Sequence, residues 1–462
     1  MRLITTVLLS LFVTVFGLAQ EADVIQIGDP LATTVQLPTF GISFDARGVL
    51  QRKTLTDPTG RLTAQRAAAA RAALAGNLGH PTRSRKVSIV RLQAAMSELL
   101  RGGKPLTDTM RKLAGLTGIS SVFCYPESGD IVMMGPAEPW AEDLSSRTVG
   151  IETGRPTLLL EDLAVALRAY RPKSRHRGFV GCTINPRPEG LAKLVQFQRT
   201  IPRSIPQQQR GQIAMQVAHG VKESLGMAEV KVFGVSPSTH FAAVMIEADY
   251  RMKRIAIGVE PPPVRLTTFA AAMTTARNGA MERWWFTPAY DGVRASPDRL
   301  AMQLTGQGIQ LQTENKNVLS DGTIVDAGHQ PSKATRVFAT SFTKRYSEIA
   351  AASPVYAQLR QLTDLLISAA FLREHDWYGM TGWDPNDLVN EQIYPVNTLH
   401  QPMKAPVVVN AFWKRNRMFT PAGGGVSIEA EKAIDAMTED EGLDAVRAAN
   451  RPDNDTAEWW WD

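Results

Sequence analysis

The sequence predicts an α+β fold of mixed helices and antiparallel hairpins, and three observations support this. Turn signals separate short apolar strands at residues 41–53 and 119–136, which is typical of hairpins. Apolar residues recur with helical spacing over residues 236–258. Residues 181–258 read strand, helix, helix, strand, helix, an order compatible with a ferredoxin-like split βαβ unit in the centre of the chain.

The first part of the chain gives four further elements beside those two hairpins. Residues 62–76 are alanine-rich and carry arginines, which favours a surface helix or a flexible arm. Residues 88–103 have helical periodicity and end on two glycines. Residues 79–86 read as a basic linker between these two segments. Residues 154–170 form an amphipathic helix with acidic residues near its positive end.

The later part of the chain continues the same mixture. Residues 283–293 and 300–314 predict paired strands. A helical pair toward the C-terminus is predicted at 339–352 and 353–375, and residues 401–431 are strand-like with glycine-rich turns.

The length of 462 residues fits two or three domains or one composite domain. We expect five segments along it. They are 1–19, a signal peptide; 20–150, an N-terminal α+β region with hairpins and a basic linker; 151–335, a central α+β domain; 336–400, the helical pair and an aromatic loop; and 401–462, C-terminal strands and a tail ending in tryptophans.

The N-terminus has the pattern of a secretory signal peptide. Arg2 precedes an apolar run at residues 3–18, and residues 17–19 fit a small-x-small cleavage site. The alternative is an uncleaved membrane anchor, but the run is short for a helix that spans a bilayer. We therefore expect export to the periplasm or outside the cell, cleavage after Ala19, and no transmembrane segment afterwards.

Two cysteines, Cys124 and Cys182, both lie in predicted strands. Export permits a disulfide between them, while burial as two free thiols is the usual fate of cysteine. The sequence leaves both alternatives open, and it offers no zinc-binding cysteine pattern.

The helix predicted at residues 236–258 carries an unusual pair of charges. Serine and proline at 236–238 predict its start, and Gly258 its end. Asp249 and Lys253 lie one turn apart, between two apolar stripes. We interpret them as a partly buried structural ion pair, with a cleft-facing pair of perturbed pKa as the alternative.

The neighbouring charges on that helix are predicted to face water. Glu247 and Arg251 are also one turn apart and fall, with Arg254, on the predicted solvent stripe.

The aromatic loop, residues 373–387, is the best candidate for ligand binding. It combines Trp377, Tyr378 and Trp383 with three aspartates, a set suited to binding a sugar or a cation. The alternative is that its aromatics cover an edge of the core.

No residue is identified as catalytic from the sequence. Ser341 and Lys344 have the spacing of serine acyl enzymes, but the partner motifs of those enzymes are missing. Glu127 and Asp130 form a carboxylate pair in a hairpin turn, which needs such residues for its own conformation. The seven histidines are scattered, so we expect neither a metal site nor a cofactor.

The net charge of +6 is small for this length and does not favour nucleic acid as a partner. It fits contact with an anionic envelope polymer, a lipid surface or another exported protein. Short basic runs at 81–86 and 171–178 belong to the same pattern, or are solvated loops.

Three stretches resemble an uncharacterised family of exported proteins, a domain of unknown function abundant in planctomycete bacteria. They are GCTINPRPEGLAKL, VFGVSPSTHFAAVMIEADYRMKRIAIGVE and RWWFTPAY. The resemblance is strongest from Gly178 to His375. It implies export and a single composite architecture, and it implies no activity.

The sequence therefore predicts an exported protein with a non-catalytic interaction or envelope-associated role. The alternatives are a hydrolase that acts on an envelope polymer, and a glycan- or peptide-binding module that uses the aromatic loop.

Overall fold

A computed structural model describes residues 39–74, 76–173, 178–201, 206–274, 280–318, 324–326, 328, 330–410, 422–452 and 460–462. The predicted leader, residues 174–177 of the basic run at 171–178, and residues 411–419 of the predicted strand region lie outside these residues. No helix within the described ranges combines the length and the apolar character needed to cross a membrane.

The α+β prediction is confirmed. The described helices are α1 Arg61–Ala73, α2 Ile89–Arg101, α3 Asp108–Arg111, α4 Leu160–Ala169, α5 Pro188–Thr200, α6 Arg210–Leu225, α7 His240–Ala256, α8 Phe269–Ala272, α9 Lys333–Lys344, α10 Tyr346–Ala352, α11 Pro354–Glu374, α12 Trp377–Thr381, α13 Asn386–Val389, α14 Ala430–Asp435 and α15 Gly442–Ala449. The described strands are β1 Thr39–Phe44, β2 Leu50–Leu55, β3 Thr82–Ser88, β4 Ser121–Tyr125, β5 Asp130–Ala137, β6 Trp140–Glu142, β7 Thr148–Gly150, β8 Val180–Asn185, β9 Met227–Phe233, β10 Ala280–Pro288, β11 Val293–Ala295, β12 Ala301–Leu304, β13 Ile309–Val318, β14 Ile324–Asp326, β15 Lys404–Pro406, β16 Ala422–Ile428 and β17 Thr438–Glu439.

Both predicted hairpins form where local signals place them. Strands β1 and β2 pair antiparallel, and Asp45 shapes their turn by accepting the Val49 N–H at 3.0 Å. Strands β4 and β5 pair antiparallel around a turn in which Gly129 has a φ of 63°. A left-handed residue at that position suits glycine because it has no Cβ.

The strands assemble into two large sheets. One has seven strands in the order β14-β13-β10-β16-β8-β9-β15, and its β10–β16 pair is parallel. The other has six in the order β17-β11-β12-β4-β5-β3. Pairs β1–β2 and β6–β7 form two small sheets. The predicted pairing of 283–293 with 300–314 is present as two strand pairs. Strand β10 pairs antiparallel with β13, and β11 pairs antiparallel with β12.

The central region differs from a ferredoxin-like split unit. Strands β8 and β9, which flank helices α5 and α6, are direct neighbours and antiparallel. A split βαβ unit needs two parallel strands with another strand between them. Here the helical hairpin α5–α6 returns the chain to a position directly beside β8. The predicted ferredoxin-like split unit is therefore not formed.

Helices pack against the seven-stranded sheet and position the candidate residues. Helix α7 packs against β8 and β16, and α11 packs against α7, α4 and α14. The predicted helical pair becomes three helices, α9, α10 and α11, because the predicted helix at 339–352 is divided at Arg345, while the second begins at Pro354. Helix α7 is thus enclosed between the sheet and α11.

Candidate functional site

Helix α7 carries the charged pair that the sequence singled out. It begins after Thr239, whose hydroxyl accepts the Ala242 N–H at 3.2 Å. The predicted cap at 236–238 is thus displaced by one residue, a usual uncertainty at a helix end. With the sheet on one side and α11 on the other, most side chains of α7 are buried.

Asp249 and Lys253 form an ion pair inside the core, where their side chains are 0% and 1% exposed. The Lys253 Nζ donates to Asp249 Oδ2 at 2.7 Å and to the carbonyl oxygens of Ile184 at 2.8 Å and Gly424 at 3.2 Å. Because these carbonyls belong to β8 and β16, the ammonium joins the helix to two central strands. Three acceptors match the three N–H donors of an ammonium group.

The Asp249 carboxylate is less completely bonded than Lys253. Its Oδ1 has no hydrogen-bond partner among the described residues. Burial raises the pKa of Asp249, against the opposing charge of Lys253. Burial lowers the pKa of Lys253, against the opposing charge of Asp249. The two charged forms are therefore held together against a desolvation cost.

A small cavity of about 10 Å³ reaches Lys253 between β8, β9 and β15. Its other walls are mostly apolar and include Pro186, Ala228 and Val407. A space of this size suits about one water molecule. The arrangement can anchor α7 to the sheet, and it leaves no room for an organic substrate at the amine.

The predicted solvent stripe on α7 is wrong, because Glu247 and Arg251 are both buried. Glu247 pairs with Arg147, which lies just before β7. Arg251 Nε donates to Glu260 at 2.8 Å, and Arg254 Nε donates to the other oxygen of that carboxylate at 3.1 Å. Matched partners make the burial of these charges tolerable.

An Asp–His pair lies at the start of the same helix. His240 Nδ1 is 2.9 Å from Asp162 Oδ2 on α4, and its Nε2 is 3.3 Å from Gln358 Nε2 on α11. Burial would lower the pKa of His240, but the charges of Asp162 and Glu161 outweigh it and raise the pKa. Gln358 Oε1 accepts from Arg147 Nε at 3.0 Å, so its amide N–H₂ faces the imidazole.

A cavity of about 400 Å³ lies between α4 and the start of α7, and neither Asp162 nor His240 is among its lining residues. Arg168 and Arg171 make its wall positive. The Arg168 guanidinium already pairs with Glu391 and donates to the Tyr394 carbonyl at 2.6 Å. The volume is in the range of small-molecule sites, but its main cation is bound within the chain.

The three aromatics of the aromatic loop lie in the core. Trp377, Tyr378 and Trp383 are buried. The Tyr378 and Trp383 rings stack with centroids 5.6 Å apart, and Trp377 Nε1 donates to the Arg299 carbonyl at 2.9 Å. Trp377 also meets Phe371 edge-to-face. The ring faces are therefore in contact with protein, and binding a sugar would require the loop to open.

The aspartates of the aromatic loop are engaged in its own conformation. Asp376 caps α12 by accepting the Gly379 N–H at 3.2 Å. Asp384 accepts the Asn386 N–H at 3.1 Å, and Asp387 accepts from the Ser97 hydroxyl. They point to separate partners and do not converge on a common centre.

The remaining sequence candidates have surroundings that do not suit a shared reaction. Asp130 is buried against Ser88 and Arg91, whereas Glu127 is on the surface in an ion pair with Arg451. In the Ser341–Lys344 pair, the serine hydroxyl accepts the Thr267 N–H at 3.0 Å and the lysine is exposed. Neither pair has the common opening that a shared reaction needs.

The two cysteines are buried free thiols on different sheets. Cys124 is on β4 and Cys182 on β8, as the strand prediction required. Burial raises the pKa of both, that of Cys124 to about 12. The disulfide alternative is thus not realised. The described part of the chain also contains no group of three His, Cys, Asp or Glu side chains placed to hold a metal ion.

Sequence reasoning missed the partners that close the charge network. No sequence motif identified Arg147, Glu260 or the Asp162–His240 pair, because these partners are far apart in the sequence. Arg147 is 100 residues from Glu247, and Asp162 is 78 residues from His240. The sequence placed Glu247 on the predicted solvent stripe, so no local signal indicated its burial.

Comparison with known proteins gives one match. A family model described as "Protein of unknown function (DUF1598)" matches residues 182–269. This range begins within β8 and contains the whole of α7 with its charged pairs. No curated protein and no solved structure matches the chain. The match agrees with the resemblance at the level of a domain of unknown function, and it assigns no activity.

Proposed function

We propose that the protein is an exported, non-catalytic binding protein that acts at the cell envelope. The export part rests on the signal-peptide pattern of residues 1–19. The binding part rests on the pairing of buried charges within the chain and on the grooves at its surface.

The observation that carries the proposal is that the acidic side chains on α7 and just after it are buried and paired with cations of the same chain. Glu247, Asp249 and Glu260 are each 4% exposed or less, and each faces at least one cation of the same chain. A carboxylate or amine that acts in catalysis must reach a substrate. The charges on the helix at the centre of the family match instead bind the helix to its surroundings, which makes this region a rigid scaffold.

A rigid scaffold with grooves at its surface is the usual construction of a binding protein. Of the partners that the net charge favours, another exported protein fits best, because surface grooves flanked by secondary structure suit peptide segments. Anionic polymer and lipid remain as competing partners that the experiments separate.

Three measurements test the proposal. Protein purified from the native envelope should begin at Gln20 on N-terminal sequencing, and an intact Met1 would contradict export. Incubation with dye-labelled envelope polymer should release no more dye than buffer. The same protein should be retained by immobilised envelope proteins and not by protease-treated ones.

A hydrolase has one specific observation in its favour, the Asp162–His240 pair. The His240 side chain is 25% exposed and its Nδ1 is oriented by a carboxylate, as in a general base. Dye release that saturates with polymer and disappears in His240→Gln would establish this alternative and overturn the non-catalytic proposal.

A further inference from the structure

Residues 460–462, Trp-Trp-Asp, lie along the outer edge of β3 as a short added strand. Val87 and Trp461 form an antiparallel bridge, and the Ser88 N–H donates to the Trp460 carbonyl at 2.8 Å. Strand β3 is the last strand of the six-stranded sheet on that side, so these residues occupy the place where a further strand would pair. We call residues 460–462 the WWD segment and residues 85–88 the β3 edge.

A single residue of the β3 edge recognises the carboxylate of the WWD segment. Asp462 Oδ1 accepts the Lys86 backbone N–H at 2.8 Å, and Oδ2 pairs with Lys86 Nζ at 2.7 Å. In return, the Asp462 N–H donates to the Lys86 carbonyl at 3.2 Å. Main chain and side chain of Lys86 together therefore fix both the register of the segment and the position of its negative charge.

Arg85 supplies a buried cation to the same contact. Its side chain lies inside the protein, with the residue only 2% exposed. Its Nε donates to the Asp462 carbonyl at 2.9 Å, while the two terminal nitrogens donate to the carbonyls of Ala114 at 2.7 Å and Asn77 at 2.8 Å. The guanidinium carbon is also 5.3 Å from the centre of the Trp461 ring, a cation–π contact.

The charge of Arg85 is balanced mainly by the WWD segment. Burial lowers the pKa of Arg85, and the charge of Asp462 opposes that effect. Among the described residues, no carboxylate side chain forms an ion pair with Arg85. Burial of a cation is tolerable only when charges or hydrogen bonds compensate it. The β3 edge is thus complementary to a segment that carries a carboxylate.

The WWD segment is anchored by a small number of contacts. Trp460 is buried at the edge of the main core and meets Trp461 edge-to-face, with ring centres 6.1 Å apart. The ion pair beside them is weaker, since the side chains of Lys86 and Asp462 are 21% and 37% exposed. Three residues joined by few backbone hydrogen bonds can be displaced by a competing segment of the same chemistry.

We propose that the β3 edge binds an extended segment of another exported protein, one that presents two aromatic side chains followed by a carboxylate. The WWD segment holds this site closed within the chain, and the incoming segment replaces it with the same contacts to Arg85, Lys86 and Ser88. Addition of a strand to a sheet edge is an established mode of peptide recognition. This inference rests on the proposed binding function and specifies the chemistry of the partner.

The first test opens the site in the full chain. The combined substitutions Trp460→Ala, Trp461→Ala and Asp462→Ala remove the competing side chains, and Asp462→Lys is a milder version in case the triple variant is unstable. The probe is a fluorescent amidated peptide, EWWWD, measured by anisotropy. Because a tethered segment competes at an effective concentration near about 1 mM, both opened variants should bind the probe at least about tenfold more tightly than the parent.

The second test examines recognition of the carboxylate. A peptide EWWWN has nearly the same shape without the charge and should bind the opened variants about tenfold more weakly. Lys86→Glu, added to the triple variant, should weaken EWWWD by about tenfold or more. Lys104→Glu, an exposed charge reversal in the loop after α2, is the matched control and should leave the affinity unchanged. Melting curves of each variant confirm that it is folded.

The third test asks for the partner. Immobilised envelope proteins should retain more of the triple variant than of the parent, and EWWWD should release it whereas EWWWN should not. Equal retention of both chains, or release by both peptides, would overturn the inference even if the peptide binds. Light scattering that shows two copies of the parent joined, and separated by EWWWD, would assign the site to a second copy and also overturn it.

These outcomes are distinct from failure of the proposed function. If envelope proteins retain the parent and all variants equally, the β3 edge is not the binding site but the proposed function stands. Loss of retention together with dye release from the polymer would instead refute the proposed function.

Discussion

Removal of Lys253 should destabilise the fold more than removal of Asp249. In Lys253→Met, the Asp249 carboxylate keeps no partner, because its Oδ1 already lacks one. In Asp249→Leu, the ammonium keeps two carbonyl acceptors, on Ile184 and Gly424. Breaking a buried pair from one side costs about 3–5 kcal/mol of unfolding free energy. We expect Lys253→Met near the upper end of that range and Asp249→Leu near or below its lower end.

The double variant Asp249→Leu with Lys253→Met should recover much of the loss. It leaves no uncompensated charge, and only the Ile184 and Gly424 carbonyls lose a donor, at about 1 kcal/mol each. With single losses of about 5 and about 3 kcal/mol or slightly less, and a double loss of about 2 kcal/mol, the coupling between the two sites should be about 5–6 kcal/mol. Urea unfolding of the four proteins measures the complete cycle.

A surface pair provides the control for this cycle. Arg71 and Glu152 form an ion pair 2.5 Å long with side chains 51% and 43% exposed. The same cycle there should give a coupling of about 0–1 kcal/mol. Single variants at Asp249 and Lys253 that are as stable as the parent would refute the reasoning, because the charges would then have access to water.

The pH dependence of Lys253→Met adds an independent check. Burial raises the pKa of Asp249 even with Lys253 present. A carboxyl whose pKa is raised in the folded state binds a proton more readily folded than unfolded. The stability deficit of Lys253→Met should therefore shrink as the pH falls toward the ordinary carboxyl range near 4. A deficit that is constant from pH 4 to 8 would contradict this.

Three more outcomes are expected. The pKa of His240 is raised in the folded state, so its stabilising effect is complete below about pH 6.5 and is lost as the pH rises through the folded-state pKa; urea melts of the parent and His240→Gln should differ more at about pH 5.5 than at pH 8.5. Trp377→Ala should cost about 3–5 kcal/mol because the ring is fully buried, whereas an unchanged melting curve would mean that the aromatic loop is open. Gly424→Ala should prevent stable folding, since a Cβ there would lie 1.9 Å from the Trp284 carbonyl oxygen and φ is 117°; a normal yield of folded protein would disprove it.

Local signals account for what the sequence predicted well. The hairpin turns at Asp45 and Gly129 lie within a few residues of the strands they join, and the position of Asp249 and Lys253 between apolar stripes predicted their pairing. The burial of Glu247 could not be predicted from local signals. Its burial depends on Arg147, which is 100 residues away and reaches α7 only in the folded chain.

The same limit applies to the seven-stranded sheet. Residues 423–428 read as a glycine-rich strand, but nothing local places that strand between β10 and β8. The aromatic loop illustrates the opposite case, because its composition suits both a ligand site and a core edge, and only packing distinguishes the two.

The position of β16 has a consequence for the timing of folding. This strand, at residues 422–428, follows β8 and β10 at a long distance in the sequence, yet it fills the middle of the seven-stranded sheet. The Gly424 carbonyl accepts a hydrogen bond from Lys253, which is 171 residues away. During synthesis, β8 and β10 are complete long before their shared neighbour exists, so the sheet cannot close until residue 428 has emerged. Contacts of such long sequence separation slow folding. For a chain exported as proposed, this delay would keep it in an open state that can be threaded through a translocation channel, and a product truncated before residue 422 would lack the strand that joins the two halves of the sheet.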